Sequence, residues 1–369
     1  MKLKVTLINK LYYPWIGGIE SHVKNLAEGI LAFATVSVIC CNTKKTTKTE
    51  PINGVNVTKY ASRGKLFSLP MSLPFFKNMH HHSADIIHIH LPNPLAVMAY
   101  LVAPPKGKLI VTWHSDIIKQ KIILLFYAPF LNHFLKKAAK IITTSPNMIL
   151  NSKFLKKHQQ KTLSIPLSID PEKYPYVALA KPLPRFALFV GRLIYYKGVL
   201  ELIAAMEQTD VNVVIIGEGP LEATIRKKAA NLIKKEQLII LPFQKDNELK
   251  AFFCNCDYFI LPSTHASEAF GIVQLEAMIY KKALISTNLP TGVPFVNKHQ
   301  QTGLVVEPGN ASELATAMQT LWTNEALNKT YGQNAYTRCL TYFTEEKMIE
   351  NTKQAYHSVL HNSQPISNS

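Results

Sequence analysis

Short apolar runs alternate with amphipathic ones along most of this chain. Residues 5–8, 35–39, 85–90, 109–112 and 140–144 are apolar and bounded by turn residues, so they read as buried strands. Helical periodicity fills most of the gaps. After residue 165 the pattern restarts with 186–190, 211–216, 238–241, 258–261 and 283–286. Strand–helix alternation predicts an α/β protein with parallel sheets covered by helices on both faces. Two successive sets predict two such domains. The stretch 166–184 is rich in proline and poor in pattern, and reads as the linker. Residues 345–360 read as a final helix, followed by a frayed tail after His361.

Length agrees with this division, because 369 residues are too many for one ordinary core. The longest apolar stretch, 122–131, falls short of the roughly twenty residues that a membrane span needs. The opening MKLKVTLIN reads as a first strand, its apolar run being too short for a secretory leader. Five cysteines, Cys40, Cys41, Cys254, Cys256 and Cys339, are odd in number and scattered. That usage fits core thiols in a reducing compartment and offers no zinc-site spacing. The expected location is the cytoplasm.

Charge is distributed unevenly. The net charge is +17, and residues 1–170 hold 22 basic against 6 acidic residues, a net of +16. Lys119, Lys121, Lys136, Lys137, Lys140, Lys153, Lys156, Lys157 and Lys161 supply much of the excess. Between 117 and 142 lysines alternate with Phe126, Tyr127, Phe130 and Phe134. A basic amphipathic segment of this kind suits an anionic membrane surface. Its alternative is a solvated lysine-rich face. Nucleic acid is not expected as a partner, since no recognition module is present.

Candidate chemistry concentrates in three places. Residues 267–278 read SEAFGIVQLEAM, with Glu268 on a loop, Gly271 at the turn, and Glu276 inside a predicted helix over 272–283. A helix start after glycine offers free N–H groups to an anion. Two carboxylates flanking such a turn suit a ligand with hydroxyls at both ends and phosphates in the middle, such as a nucleotide sugar. Residues 189–199, FVGRLIYYKGV, place Arg192 and Lys197 beside Gly191 and Gly198 after an apolar strand. Arginine binds phosphate bidentately and lysine acts there as a point charge. Residues 213–220, VVIIGEGP, read as a buried strand running into a glycine turn.

With these three motifs in order, the chain resembles a family 4 glycosyltransferase of the GT-B fold. The family's G-R-x-x-x-x-K-G loop, I-G-x-G-P turn and paired glutamates all occur here. YYPWIGGIESHVKNLAEGI, DIIHIHLP, TWHSD, TSPNM and SIPLSID extend the resemblance over nearly the whole chain. It departs at Leu167–Ser168, where the family usually has asparagine–glycine. The resemblance implies two Rossmann-like domains facing across a cleft: 1–165 for the acceptor, a linker 166–184, 185–344 for the nucleotide sugar, and 345–369 as a helix crossing back with its tail. Gly17, Gly18 and His114 would line one wall of that cleft and Arg192, Lys197, Glu268 and Glu276 the other. Glu276 would accept hydrogen bonds from the ribose, and Glu268 would contact the transferred sugar. The backbone of Phe270, Gly271 and Ile272 would face phosphate or sugar, and Arg192 and Lys197 would neutralise the leaving diphosphate. His114 would lie near the anomeric carbon and Asp116 near the acceptor.

The implied activity is retaining transfer from a nucleotide sugar to a lipid-linked or polysaccharide acceptor in lipopolysaccharide assembly. GDP-mannose is the first choice of donor, and a UDP-sugar the second. No metal or other cofactor is expected, because the chain has no Asp-x-Asp triplet and fixed cations can take that task. The enzyme would sit peripherally on the inner face of the cytoplasmic membrane. An epimerase or hydrolase of the same fold, and a non-catalytic binder of anionic lipid, are the alternatives. The tract His80–His81–His82 and the pair His88 and His90 read as structural rather than metal-binding.

Overall fold

A computed structural model describes residues 2–15, 17–66, 69–116 and 121–361 of the chain, and does not extend to the side chains of 65, 66, 69 and 121–123. The predicted frayed tail, together with Lys119, lies outside the described residues. Contacts divide the chain into two units. One runs to Leu167 and resumes at Glu345; the other is Ser168–Thr344.

The first unit is built on one eight-stranded sheet. Its strands are β1 (Leu3–Ile8), β2 (Ala34–Cys41), β3 (Lys48–Ile52), β4 (Val55–Tyr60), β7 (Ile86–Leu91), β8 (Lys108–Trp113), β9 (Lys140–Thr143) and β10 (Thr162–Ser164). The short pair β5 (Lys65–Leu66) and β6 (Leu69–Pro70) stands apart. The order β10-β9-β8-β7-β1-β2-β4-β3 is parallel except for β3, which returns on β4 through Asn53–Gly54, both at positive φ. Strands covered on both faces must be apolar throughout, and β7 and the core of β1 are buried accordingly. The run direction reverses between β1 and β7, and ligands of such sheets gather beyond the strand carboxyl ends at that switch point.

Helix Glu345–His361 closes this unit by packing on helix Gly18–Gly29. Ile349 fills the space above Gly29, and Asn25 donates to Glu345. Helix Lys121–Lys137 is shorter than the segment 117–142, because its last residues fold into β9. Its face divides: Phe134 and Leu131 are buried, whereas Leu125 and Phe126 are 73% and 72% exposed and Phe130 is also outward. Lys161 does not join a solvated patch. Its ammonium donates to the carbonyls of Leu135, Lys136 and Ala138 at 2.7–2.9 Å and so caps that helix. No described helix is long and apolar enough to cross a membrane.

The second unit carries a six-stranded parallel sheet in the order β13-β12-β11-β14-β15-β16. Its strands are β11 (Ala187–Val190), β12 (Val213–Ile216), β13 (Leu238–Leu241), β14 (Tyr258–Leu261), β15 (Ala283–Thr287) and β16 (Gly303–Val306). Here the switch point lies between β11 and β14. The stretch 168–184 has little regular structure, yet it is tied to this unit: Val177 N–H donates to Cys254 Sγ and Tyr280 OH to the Pro175 carbonyl. All five cysteines are free thiols.

Candidate active site

The two strands flanking the second unit's switch point each lead into a loop with charged residues. Arg192 and Lys197 follow β11, and Glu268 follows β14. Gly198 makes the meeting of these loops feasible. It sits at φ +71°, and a Cβ there would run into the Pro262 carbonyl oxygen. Thr264 N–H donates to the Tyr196 carbonyl at 2.8 Å and fastens the loops together. Lys197 Nζ therefore reaches Glu268 Oε2 at 2.5 Å. Ser263 Oγ donates to the same oxygen at 3.1 Å, and Thr287 Oγ1 holds the Ser263 carbonyl at 2.6 Å. Glu268 is buried. Arg192 is exposed, and its guanidinium pairs with no described residue.

Glu276 stands apart from this pair, on helix Val273–Ile279. Tyr174 OH donates to its Oε1 at 3.3 Å. Lys250 lies 5.4 Å from the Tyr174 ring and bonds Asp246 at 2.8 Å. Burial pushes the Glu276 carboxyl up to about 7, against the opposing pull of the Tyr174 hydrogen bond.

The predicted helix over 272–283 is too long. It ends at Ile279, Lys281 takes positive φ, and Ala283 already begins β15. A two-turn helix has little macrodipole, so anion capacity here rests on individual N–H groups. Those of Phe270, Gly271 and Ile272 donate to no described residue. Gln274 bonds the neighbouring Phe270 carbonyl instead, at 3.1 Å.

In the first unit, His114 follows β8 and joins a cluster. His90, near the end of β7, places Nδ1 3.0 Å from His114 Nε2. His22, on helix Gly18–Gly29, sets its ring 5.1 Å from that of His114 and 5.7 Å from that of His90. His88 stacks on His90 at 4.5 Å and spends both nitrogens, on Tyr356 OH at 2.8 Å and Thr112 Oγ1 at 2.7 Å. Burial dominates the electrostatics. It holds the His22 and His88 imidazoles down to about 4 and about 3, and those of His90 and His114 well below the usual range.

Gly17 is extended, and Gly18, opening its helix, has clear space where a Cβ would stand. Asp116 has a structural tie: Oδ1 accepts from Trp113 Nε1 at 2.9 Å and from Ser152 Oγ at 2.7 Å. The tract 80–82 ends with His82 bonded to Tyr60 OH at 2.6 Å. Sequence reading did not single out Ser263, Tyr174 or His22. Only His22 left a signal, standing four residues after the Gly17–Gly18 pair.

Two Rossmann-like α/β units, one on a fully and one on a largely parallel sheet, are the architecture called GT-B. Residues 16–173 match the model described as Glycosyltransferase Family 4, and residues 173–338 the one described as Glycosyl transferases group 1. The chain is 33% identical to O-antigen chain mannosyltransferase C of Escherichia coli over 97% of its own length and 99% of that protein's. It is also 33% identical to D-rhamnosyltransferase WbpZ of Pseudomonas aeruginosa, over 89% of each. Sucrose-phosphate synthase from Thermosynechococcus elongatus shares the fold, with a TM-score of 0.78 at 20% identity over 98% of this chain and all of that one. The chain belongs to family 4 of the glycosyltransferases.

Proposed function

We propose that this glycosyltransferase moves a mannose-class sugar from a nucleotide diphosphate, GDP-mannose before a UDP-sugar, to a lipid-linked or polysaccharide acceptor in O-antigen-type assembly. The likeness to an O-antigen mannosyltransferase and to a D-rhamnosyltransferase supports this class of reaction. The observation that carries the reading is the Lys197–Glu268 pair beside an unpaired Arg192.

In this reading Lys197 and Arg192 neutralise the diphosphate as the glycosidic bond breaks. Such fixed charges act most where charge grows in the transition state. Glu268, held by Ser263, accepts from hydroxyls of the sugar, and Glu276 accepts from the ribose diol. The free N–H groups at Phe270, Gly271 and Ile272 face the phosphate. In the first unit, Gly17 and Gly18 are the proposed backbone contacts for phosphate and His114 the proposed contact for the acceptor hydroxyl. That hydroxyl attacks from the face the diphosphate leaves, so configuration is retained. Cations on the protein replace a divalent ion. Asp116 positions the loop after β8 for the acceptor. The exposed Leu125, Phe126 and Phe130, with the exposed Lys136, Lys137, Lys153, Lys156 and Lys157 of the same unit, are the proposed contacts with the anionic inner face of the cytoplasmic membrane.

A thermal-shift screen of GDP, UDP and their sugars tests the donor. A ligand at 100 times its Kd adds about 2.7 kcal/mol of stability. A melt raised by GDP and GDP-mannose is expected, with loss of the shift in Glu276→Ala. A chain raised by no nucleotide would end this reading.

A further inference from the structure

We infer that His22, His90 and His114 form a binding site for a zinc-class transition ion. One ring nitrogen from each can be chosen so that all three lie within 4.8 Å of one another. Zn–N bonds of about 2.0–2.1 Å require ligand nitrogens about 3.3 Å apart in tetrahedral geometry. His90 and His114 are already at 3.0 Å, so closing the set takes side-chain adjustments of roughly 1 Å.

Two further observations point to a ligand. His90 Nε2 is fully buried and has no hydrogen-bond partner among the described residues. His22 is 8% exposed and its ring makes no hydrogen bond to any described residue either. Buried polar groups are normally paired, yet His90 engages only Nδ1, with His114, and leaves Nε2 orphaned, while the neighbouring His22 ring bonds no described residue. The neighbouring His88 shows the contrast. Both its nitrogens are engaged, so it supports the His90 ring by stacking and supplies no lone pair.

The chemistry of the donors selects the ion. Three neutral imidazoles with no carboxylate or thiolate suit Zn²⁺, Co²⁺, Ni²⁺ or Cu²⁺ and offer little to Mg²⁺ or Ca²⁺, which take oxygen. Three protein ligands leave a fourth position for water or an incoming oxygen. The ligands come from the helix after β1 and from the ends of β7 and β8, at the first unit's switch point.

The test uses the full chain, stripped with EDTA and desalted, with zinc chloride and cobalt chloride as probes. Zinc is titrated in competition with a chromophoric chelator, and cobalt by its visible d–d absorption. We expect one zinc per chain, a tetrahedral cobalt spectrum and no competition by millimolar Mg²⁺. His22→Gln and His90→Gln should each weaken zinc binding by about tenfold or more. Melting curves show whether the variants fold. If His90→Gln does not, His22→Gln, on helix Gly18–Gly29, carries the test. The double variant His80→Gln/His81→Gln should keep the site. No saturable zinc binding, binding unchanged in His22→Gln, or binding lost with the 80–81 tract would each overturn the assignment.

Discussion

Lys197 Nζ and Glu268 Oε2 approach to 2.5 Å, with their side chains only 14% and 10% exposed. A buried pair of this kind is poor as a source of stability, because desolvation offsets the attraction. It is well suited to an exchange of partners. On the proposed function, a diphosphate arriving at Lys197 would take over its charge, and the freed Glu268 oxygen would turn to a sugar hydroxyl.

The exchange predicts two distinct losses. Lys197→Ala should lower kcat by about 10²–10³, the scale of losing one transition-state contact. It should also cost about 3 kcal/mol of stability, because Glu268 is left buried with only Ser263. Adding Glu268→Gln removes the stranded charge and should recover more than half of that stability without restoring turnover. Urea melts of the wild type, both single variants and the double variant decide this. Strictly additive effects would remove the coupling.

With Glu276 in its proposed place at the ribose, donor binding should depend on pH. Its carboxyl is raised to about 7 by burial, and the ribose diol needs the ionised acceptor. Donor affinity should therefore climb from pH 6 to pH 8. In the unliganded protein the sign for stability is opposite. The folded state binds this proton more tightly than the unfolded one, so stability falls as pH rises from about 4.5 to about 7. Glu276→Gln should flatten both slopes and weaken donor binding about tenfold, as expected for one charged hydrogen bond. Isothermal titrations at three pH values check it.

On the same proposal, Tyr174 would act on the donor through Glu276. Its hydroxyl favours the ionised carboxylate, so Tyr174→Phe should move the midpoint of that pH profile upward. KM for the donor should rise a few-fold at pH 7 and recover by pH 9, with kcat little changed, the size of one hydrogen bond. An unmoved profile would leave Tyr174 as packing only.

These residues also show what sequence could reveal. Arg192, Lys197, Glu268 and Glu276 were legible because each lies in a short motif tied to a strand end. Tyr174 was not, because its role arises from a pairing with a residue distant in sequence, and Ser263 was not, because a lone serine five residues before Glu268 belongs to no motif. Tyr174 lies 102 positions from Glu276. The strands β1, β7, β8 and β11 to β15 announced themselves as apolar runs. The hairpin β3–β4 did carry a turn signal in Asn53–Gly54, but its strands are half polar and the edge strand is largely exposed. The helix at Glu276 was overextended because Lys281 terminates it in a conformation that propensity does not announce.

The outward face of helix Lys121–Lys137 predicts a lipid preference. Lysines near an anionic surface contribute on the order of 1 kcal/mol each, and exposed aromatic side chains insert at the interface. The protein should sediment with phosphatidylglycerol vesicles and not with phosphatidylcholine alone, and 0.5 M salt should weaken the association. The variant Leu125→Ser/Phe126→Ser should lose binding while soluble-acceptor turnover persists. Equal partition to both lipids would leave this face as ordinary surface.

Metal removal separates the two roles an ion could have here. If Arg192 and Lys197 carry the leaving-group charge as proposed, excess EDTA should leave turnover at least as fast as before. Zinc bound by His22, His90 and His114 engages the imidazole assigned to the acceptor, so added zinc should inhibit, and EDTA should reverse it. In His22→Gln, inhibition should need about ten times more zinc, following the weakened site. Initial rates in a zinc–EDTA buffer series read both effects on one preparation. If EDTA stopped turnover and Mg²⁺ or Mn²⁺ restored it, the diphosphate would depend on a divalent ion, and the task given to Lys197 and Arg192 would fall.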